Sequence, residues 1–315
     1  MACCLVFHKT IDHYNMKTPV AIVFFNRIEP LKKLVARLCE VRPPKVYLIS
    51  DGARSGRVGE AEKVAQCREF MMNLPWPCKI INNFAERNQG CRSRVTSGLD
   101  WLFEQEERAI ILEDDCIPEP EFFLWVEKML DRYADELKIL SIGGTNLRPQ
   151  LCNQRYDVVF SKYAMIWGWA TWRRAWQKND KDLLLFRDAC ERHHFKRWLG
   201  KWRAELYWRY LLTHVKTSWG YRWAFTHFVN EAYCVLPPVN LVENIGMTVV
   251  DATHTSSNPY KLAPVSRGWR SESDIPSIAV NIKLDRWIED NVFSRSFVQR
   301  LKWLFSKLGW FVISG

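Results

Sequence analysis

The chain has 315 residues, 48% of them hydrophobic and 25% charged, so it can bury a large core and is not a disordered polypeptide. Its formal net charge of +10 favours an anionic partner, such as a nucleic acid, a membrane surface or a phosphorylated substrate. No apolar run approaches the roughly 18 residues that cross a membrane, and the first residues lack the basic flank of a signal peptide. With ten scattered cysteines, these features predict a cytoplasmic protein.

Four apolar runs, each followed by an amphipathic or polar segment, occupy the first half of the chain. They begin at Pro19, Lys45, Cys78 and Arg108. Strands that alternate with helices through short links predict an α/β fold, in which helices flank a mostly parallel central sheet. Ligands bind beyond the carboxyl ends of the strands in such sheets, so a site is expected where these runs end. Neither GxGxxG nor GxxxxGK[ST] occurs, which argues against a dinucleotide enzyme or a P-loop ATPase.

The fourth run ends in three consecutive acids, Glu113, Asp114 and Asp115. Adjacent negative charges require solvent, basic side chains or a divalent cation to offset them. Carboxylate oxygens suit Mg²⁺ or Mn²⁺, which typically combine one or two carboxylates with substrate phosphates. A solvated acidic turn is the alternative. Asp51 follows the second run and fits either an Asp-Gly turn or a nucleobase contact, and Arg27 follows the first and fits a surface cation or a phosphate contact.

Several long strings carry a family resemblance. They are SDGAR, RAIILEDDCIPEPEFF, ILSIGGTN, IWGWATWRRAW and LPPVNLVENIGM. With them the chain resembles bacterial nucleotide-sugar glycosyltransferases of the GT-A fold (a Rossmann-like sheet) and, more distantly, N-acetylglucosaminyltransferase I. The resemblance covers residues 18 to 256. It implies an enzyme of the hexosyltransferase type that uses Mn²⁺ or Mg²⁺ and a nucleotide-diphosphate sugar, with UDP favoured as the nucleotide.

The resemblance also implies a role for each residue at the predicted sheet edge. By position, Asp115 would be the direct metal ligand, while Glu113 and Asp114 would contact the donor's sugar and ribose. Asp51 matches the aspartate that binds the uracil. Arg27 matches the arginine near the diphosphate.

The second half of the chain would hold the acceptor. By the same resemblance, Trp167, Gly168 and Trp169 would wall the acceptor side, and His254 would make a second metal or phosphate contact. The alternative for the tryptophans is a packed helix, because Trp169, Trp172 and Trp176 recur at helical core spacing.

One departure from the family concerns the catalytic base. Many relatives carry an aspartate where this chain has Gly220. Another carboxylate would then serve as the base, or transfer would proceed without one, or the chain would be inactive. Glu231 is the candidate nearest in sequence, while Glu243 and Asp251 are also open.

The chain beyond Pro259 loses the α/β pattern. Residues 294–315 place apolar side chains at helical spacing beside four Lys or Arg and no acid, which predicts a basic amphipathic helix. Such a helix either docks on the body or lies on the inner face of an anionic membrane. The predicted divisions are an extension (1–17), a glycosyltransferase domain (18–258, with a nucleotide-sugar half at 18–150 and an acceptor half at 151–258) and a tail (259–315).

The sequence therefore predicts a metal-dependent, inverting glycosyltransferase. Its expected partners are a nucleotide-sugar donor and a glycan or lipid-linked acceptor, in cell-surface polysaccharide or lipopolysaccharide synthesis. The alternatives are a nucleic-acid-binding or glycan-binding protein and a sugar-nucleotide nucleotidyltransferase. Nucleic acid is not expected as a partner, because no RRM, OB, KH or helix-turn-helix pattern is present.

Overall fold

A computed structural model describes residues 16–247, 263–271 and 274–293. The strands are β1 (Val20–Phe24), β2 (Lys45–Ser50), β3 (Lys79–Phe84), β4 (Arg108–Glu113), β5 (Cys116–Pro118), β6 (Ile139–Gly143), β7 (Val159–Ser161), β8 (Trp169–Trp172), β9 (Tyr233–Leu236) and β10 (Val242–Asn244). The helices are α1 (Ile28–Val41), α2 (Glu60–Met72), α3 (Cys91–Gln105), α4 (Pro120–Arg132), α5 (Arg173–Trp176), α6 (Phe186–Glu191), α7 (His194–Leu199), α8 (Trp202–His214), α9 (Gly220–Val229) and α10 (Ile282–Ile288). Short 3₁₀ turns span Pro149–Leu151 and Ile245–Met247, and a π-helical turn spans Glu289–Phe293.

Eight of the strands form one sheet in the order β3-β2-β1-β4-β8-β6-β9-β7. Strands β7 and β8 pair antiparallel with their neighbours, and the other six run in one direction. The predicted α/β fold with a mostly parallel central sheet is confirmed, and the four predicted runs are β1 to β4. Strands from both predicted halves, 18–150 and 151–258, lie in this one sheet.

The central strands are buried because helices cover the sheet. Ala21 and Ile22 of β1 and Ile110 of β4 are fully buried. Helix α1 turns Leu31, Leu34, Val35 and Leu38 inward, at the spacing that predicted it. It ends at Arg42, whose left-handed backbone and N–H bond to the Leu38 carbonyl close the helix before Pro43. Burial of these four side chains holds α1 against the sheet. Arg27 lies at the junction between β1 and α1.

A small antiparallel ribbon of β5 and β10 lies just beyond the carboxyl end of β4. Its register pairs Asn244 with Cys116 and Glu243 with Ile117. The 3₁₀ turn that follows β10 passes against the acids, since a Cβ added to Gly246 would lie 2.1 Å from the Asp115 carboxylate. Glycine is therefore required there for the close approach of the backbone.

A second apolar cluster joins helices α6 to α10. Phe195, Trp208, Phe225 and Phe228 are fully buried within it. Helix α10 and the π-helical turn are tied to β7 and the following loop by buried polar contacts, including a 2.6 Å hydrogen bond from the Ser161 hydroxyl to the Asp285 carboxylate. This cluster is continuous with the far end of the sheet, because β7 and β9 contribute to it.

The alternative interpretation of the tryptophan-rich string, one packed helix, is wrong for its first part. Residues Trp169–Trp172 form β8 and only Arg173–Trp176 is helical. The expected burial is nevertheless present, because Trp169, Trp172 and Trp176 are all buried. Pairing with β4 and β6 on either side outweighs the helical spacing.

The described helices include none that is long and apolar enough to cross a lipid bilayer. The predicted amphipathic helix at 294–315 and most of the predicted extension, residues 1–15, lie outside the described residues.

Candidate active site

Arg27 and the acids after β4 meet at the carboxyl edge of the sheet. Because β1 and β4 are adjacent and parallel, the residues that follow them emerge side by side. The Arg27 guanidinium donates to Asp114 through Nε (3.3 Å) and Nη2, and to Asp115 Oδ2 through Nη2 (2.9 Å). Asp114 is buried, whereas Asp115 and Arg27 keep part of their surface exposed. The adjacent charges predicted to need a partner therefore have one.

Burial shapes the ionisation of this cluster. Burial, with the charges of Asp115 and Asp114, raises the pKa of Glu113 above its usual range. Burial also raises the pKa of Asp114, although Arg27 opposes that shift. Burial disfavours the charge on Arg27, yet Asp114 and Asp115 hold its pKa above the ordinary value. Carboxyls perturbed by burial at a sheet edge are typical of functional sites.

Glu113 has a second neighbour from the far half of the chain. The indole of Trp219 lies beside its carboxylate and opposes the rise in the Glu113 pKa. Trp219 stacks on Trp169, with ring centroids 5.5 Å apart. No role for Trp219 was predicted from the sequence. Its one signal in the sequence is its position next to Gly220, where the resemblance places the catalytic acid.

The fit of a divalent cation depends on Asp115. Within the described ranges, no three His, Cys, Asp or Glu side chains are grouped so that they could hold a metal ion. A cage built from protein ligands alone is therefore not formed by these residues. Asp115 is a partly exposed carboxylate, and Mg²⁺ or Mn²⁺ commonly binds one or two such groups and completes its shell with phosphates and water. The residues fit a cation of that kind. His254, the other predicted ligand, lies outside the described residues.

Asp51 is occupied by the chain itself. Its Oδ1 accepts hydrogen bonds from the backbone N–H groups of Gly52 and Gln89, each at 2.9 Å. Its Oδ2 accepts from Gly90 N–H (2.9 Å) and from the Asn88 side chain (3.1 Å). Four donors fill the lone pairs of a buried carboxylate, so the predicted contact with the uracil requires revision. Asp51 instead fastens the loop that leads into α3.

The predicted acceptor wall divides into two kinds of residue. Trp169 is fully buried and has no surface to offer a ligand, so its assignment as an acceptor contact requires correction. Trp167 is half-buried. The antiparallel register pairs Trp169 with Ile111, so the preceding Trp167 lies near the edge where β4 ends. Gly168 has a φ of +64°, and an added Cβ would lie 2.8 Å from Val242, so glycine is needed there.

Glu231 lies at the wrong edge of the sheet for the predicted base. It precedes β9, which runs parallel to β6 and in the same direction as β4. Glu231 is therefore at the amino edge, about a strand length from the acids. Its side chain is about half-exposed, with Arg197 4.0 Å away. Proximity in sequence to Gly220 misled the prediction, because α9 carries the chain across the sheet between them.

The two other candidates for the catalytic base are Glu243 and Asp251. Glu243 is exposed on β10, in the ribbon that adjoins Asp115. Asp251 lies outside the described residues. At Gly220 itself, an added Cβ would lie 2.5 Å from Ile166 Cδ1, so an aspartate fits only if Ile166 moves.

Comparison with known proteins gives weak likenesses. No protein-family model matches the chain, and no curated protein matches it. Among solved structures, the mannosyltransferase PcManGT from Pyrobaculum calidifontis, in complex with GDP-Man and Mn²⁺, aligns with a TM-score of 0.34 and 14% identity over 57% of this chain. The alignment spans 50% of that mannosyltransferase's own length.

Two further solved structures have similar scores. HddC from Yersinia pseudotuberculosis, complexed with GMP-PN, has a TM-score of 0.31 and 10% identity, covering 50% of this chain and 78% of HddC. The 4-diphosphocytidyl-2C-methyl-D-erythritol synthase from Anaerococcus prevotii has a TM-score of 0.30 and 11% identity, covering 54% and 83%. Likenesses of this size do not assign an activity to the chain.

Proposed function

We propose that the chain is a metal-dependent glycosyltransferase, which moves a sugar from a nucleotide-diphosphate sugar to a glycan or lipid-linked acceptor. The observation that carries the proposal is the convergence of Arg27 with Glu113, Asp114 and Asp115 where two adjacent parallel strands end. Fixed cations and carboxylates at that edge suit a substrate with a diphosphate at one end and a polar sugar at the other. The resemblance of the motif strings supports the same class, with UDP as the favoured nucleotide.

Departure of the nucleoside diphosphate is the step these residues serve best. An acceptor hydroxyl attacks the anomeric carbon, the glycosidic bond to the phosphate breaks, and negative charge develops on the leaving oxygen. Arg27 is held as a cation beside Asp114 and Asp115, and its positive charge would stabilise that oxygen. Asp115 would hold Mn²⁺ or Mg²⁺ against the diphosphate, where the ion acts as a Lewis acid. Glu113 and Asp114 would orient the donor's hydroxyl groups.

A base that accepts the proton of the acceptor hydroxyl would accelerate direct inversion by about 10²–10⁴. We assign this role to Glu243, because it is an exposed carboxylate on the ribbon next to Asp115 and has no ion pair among the described residues. Trp167 and Gly168, at the same end of β8, would form the acceptor side. The proposed acceptor is a precursor of a cell-surface polysaccharide or lipopolysaccharide. His254 would make a second metal contact. Residues 294–315 would contact the membrane.

The proposal is tested by a thermal-shift screen of nucleotide sugars with Mn²⁺ and with EDTA. We expect one donor to raise the melting temperature, with the larger increase in the presence of Mn²⁺. The donor selected in this way is then supplied with candidate acceptors, and transfer is followed by release of nucleoside diphosphate.

The other function classes give different results in the same experiments. A nucleotidyltransferase would release pyrophosphate from a nucleoside triphosphate and a sugar phosphate. A glycan-binding protein would bind sugars without a nucleotide, and a nucleic-acid binder would respond to oligonucleotides without a metal. Each of these results would replace the proposed activity.

A further inference from the structure

Helix α8 presents two large apolar side chains to solvent. Trp202 is 60% exposed and Leu206, one turn later, is 47% exposed. The opposite face of the helix is buried through Tyr207, Trp208 and Leu211. Of the strongly exposed large hydrophobic residues in the described ranges, these two alone share a helix. The outer face of α8 is therefore an apolar spot that the fold leaves uncovered.

Cations surround this spot. The stretch 192–209 contains six Lys or Arg and one acid, Glu205, which is buried against Arg209. Arg203 lies beside the exposed indole, its guanidinium carbon 5.7 Å from the Trp202 ring centroid. Lys196 is exposed on α7, which packs on α8. Neither Lys196 nor Arg203 has a carboxylate within ion-pair distance among the described residues. Positive charge around the apolar spot is thus available to an external anion.

The chain leaves the described body at the same helix. Phe293 packs on Trp208, with ring centroids 4.9 Å apart, and on Tyr207 at 6.1 Å. The chain then continues into residues 294–315, whose sequence alternates apolar side chains with four Lys or Arg and has no acid. Residues 294–315 share the basic and apolar composition of the outer face of α8, while Phe293, the last residue described before them, packs on the inner face of that helix.

We propose that the outer face of α8, together with the adjoining end of α7, docks on an anionic lipid membrane. Trp202 and Leu206 enter the headgroup region, where indoles are favoured, and Arg203 and Lys196 contact lipid phosphates. A protein partner fits this surface less well, because two apolar side chains are far less than the ~800 Å² per partner that a stable interface buries. The face is distinct from the carboxyl-edge site and does not depend on the proposed activity.

The test measures co-sedimentation of the full chain with phosphatidylcholine vesicles, with and without phosphatidylglycerol. The wild type should bind the anionic vesicles, less so at high salt. Trp202→Ala combined with Leu206→Ala should weaken that binding by at least about tenfold. Leu124→Ala combined with Leu137→Ala removes two other exposed apolar side chains and should leave binding unchanged.

A second variant separates charge from apolar contact. Arg203→Ala should lower affinity for anionic vesicles and reduce its salt dependence, whereas Arg187→Ala, on the exposed side of α6, should not. Equal binding of the wild type and the Trp202→Ala, Leu206→Ala variant would overturn the proposal, even if residues 294–315 bind lipid. So would absence of phosphatidylglycerol-dependent binding, or self-association that the double substitution abolishes.

Discussion

The indole of Trp219 lies beside the Glu113 carboxylate and opposes the rise in its pKa, and so connects the start of α9 to the end of β4. The two residues are far apart in sequence and come from the two predicted halves of the glycosyltransferase domain. Trp219 is itself held by stacking on Trp169 of β8, the strand that pairs with β4. The acid cluster is therefore supported from both halves of the chain.

Loss of this polar contact should impair the donor site. Trp219→Phe keeps an aromatic ring on Trp169 but removes the indole N–H. Because a polar contact of this kind contributes about 0.5–1.5 kcal/mol, we expect kcat/KM for the donor to fall by about two- to tenfold. Trp223→Phe is the matched control, since the buried Trp223 indole N–H has no hydrogen-bond partner among the described residues. Equal losses in the two variants would indicate a packing effect.

Asp51→Ala should loosen the loop before α3. Loss of the acceptor for four hydrogen bonds should lower the free energy of unfolding by about 2–4 kcal/mol, as measured by denaturant titration. Amide hydrogen exchange at Gln89 and Gly90 should accelerate. Asp131→Ala, at an exposed ion pair with Arg108, is the control. Unchanged exchange together with altered preference for the nucleotide base would restore a direct role for Asp51 in base binding.

Glu243→Gln tests the assignment of the base. If Glu243 accepts the proton of the acceptor hydroxyl, kcat should fall by about 10²–10⁴ with donor affinity preserved. Glu231→Gln is the comparison, and we expect it to retain activity because Glu231 lies at the opposite edge of the sheet. The reverse pattern would return the role to Glu231 and contradict the edge argument.

His227 should make the fold sensitive to acid. Its Nδ1–H donates to the Trp223 carbonyl (2.9 Å) and its Nε2 accepts from the Ser141 hydroxyl (2.8 Å), so the buried ring is neutral. Burial lowers the pKa of His227 to about 4, against an ordinary value near 6.5. Between these values the unfolded chain binds a proton that the folded chain does not, so stability falls as the pH is lowered. The full effect is about 3 kcal/mol.

The pH dependence is measured by denaturant unfolding from pH 7 to pH 4. Acids with raised pKa values, such as Asp114, change stability in the opposite direction, so the comparison is between variants. His227→Gln should flatten the decline relative to the wild type, and His214→Gln, on the exposed end of α8, should not. Parallel curves for wild type and His227→Gln would contradict the prediction.

Local patterns were enough to predict the first half of the fold. The apolar runs identified β1 to β4, and the strand-end rule placed Arg27 beside Asp114 and Asp115 before any contact was known. Parallel strands share a carboxyl edge, so strand order hardly affects that inference. The motif strings added a reaction class that spacing alone does not give.

Pairing between distant segments limited what could be predicted in the second half. Residues 169–172 have a helical spacing of tryptophans but form strand β8, because they pair with β4 and β6. This pairing also buries Trp169. Because β9 runs in the same direction as β4, Glu231 lies at the opposite edge of the sheet from the acids. Pairing of β5 with β10 places Glu243 near the acids. The filled lone pairs of Asp51 depend on a loop some forty residues later in the chain. None of these relationships leaves a local signal in the sequence.

The central claim, that Asp115 binds a divalent cation together with the donor diphosphate, is tested most directly by calorimetric titration of the selected nucleotide sugar with Mn²⁺ and with EDTA. We expect Mn²⁺ to increase affinity in the wild type and in Asp188→Asn, which alters an exposed ion pair with Arg192. In Asp115→Asn that increase should be absent, and transfer should be lost. An undiminished effect of Mn²⁺ on donor affinity in Asp115→Asn would contradict the account.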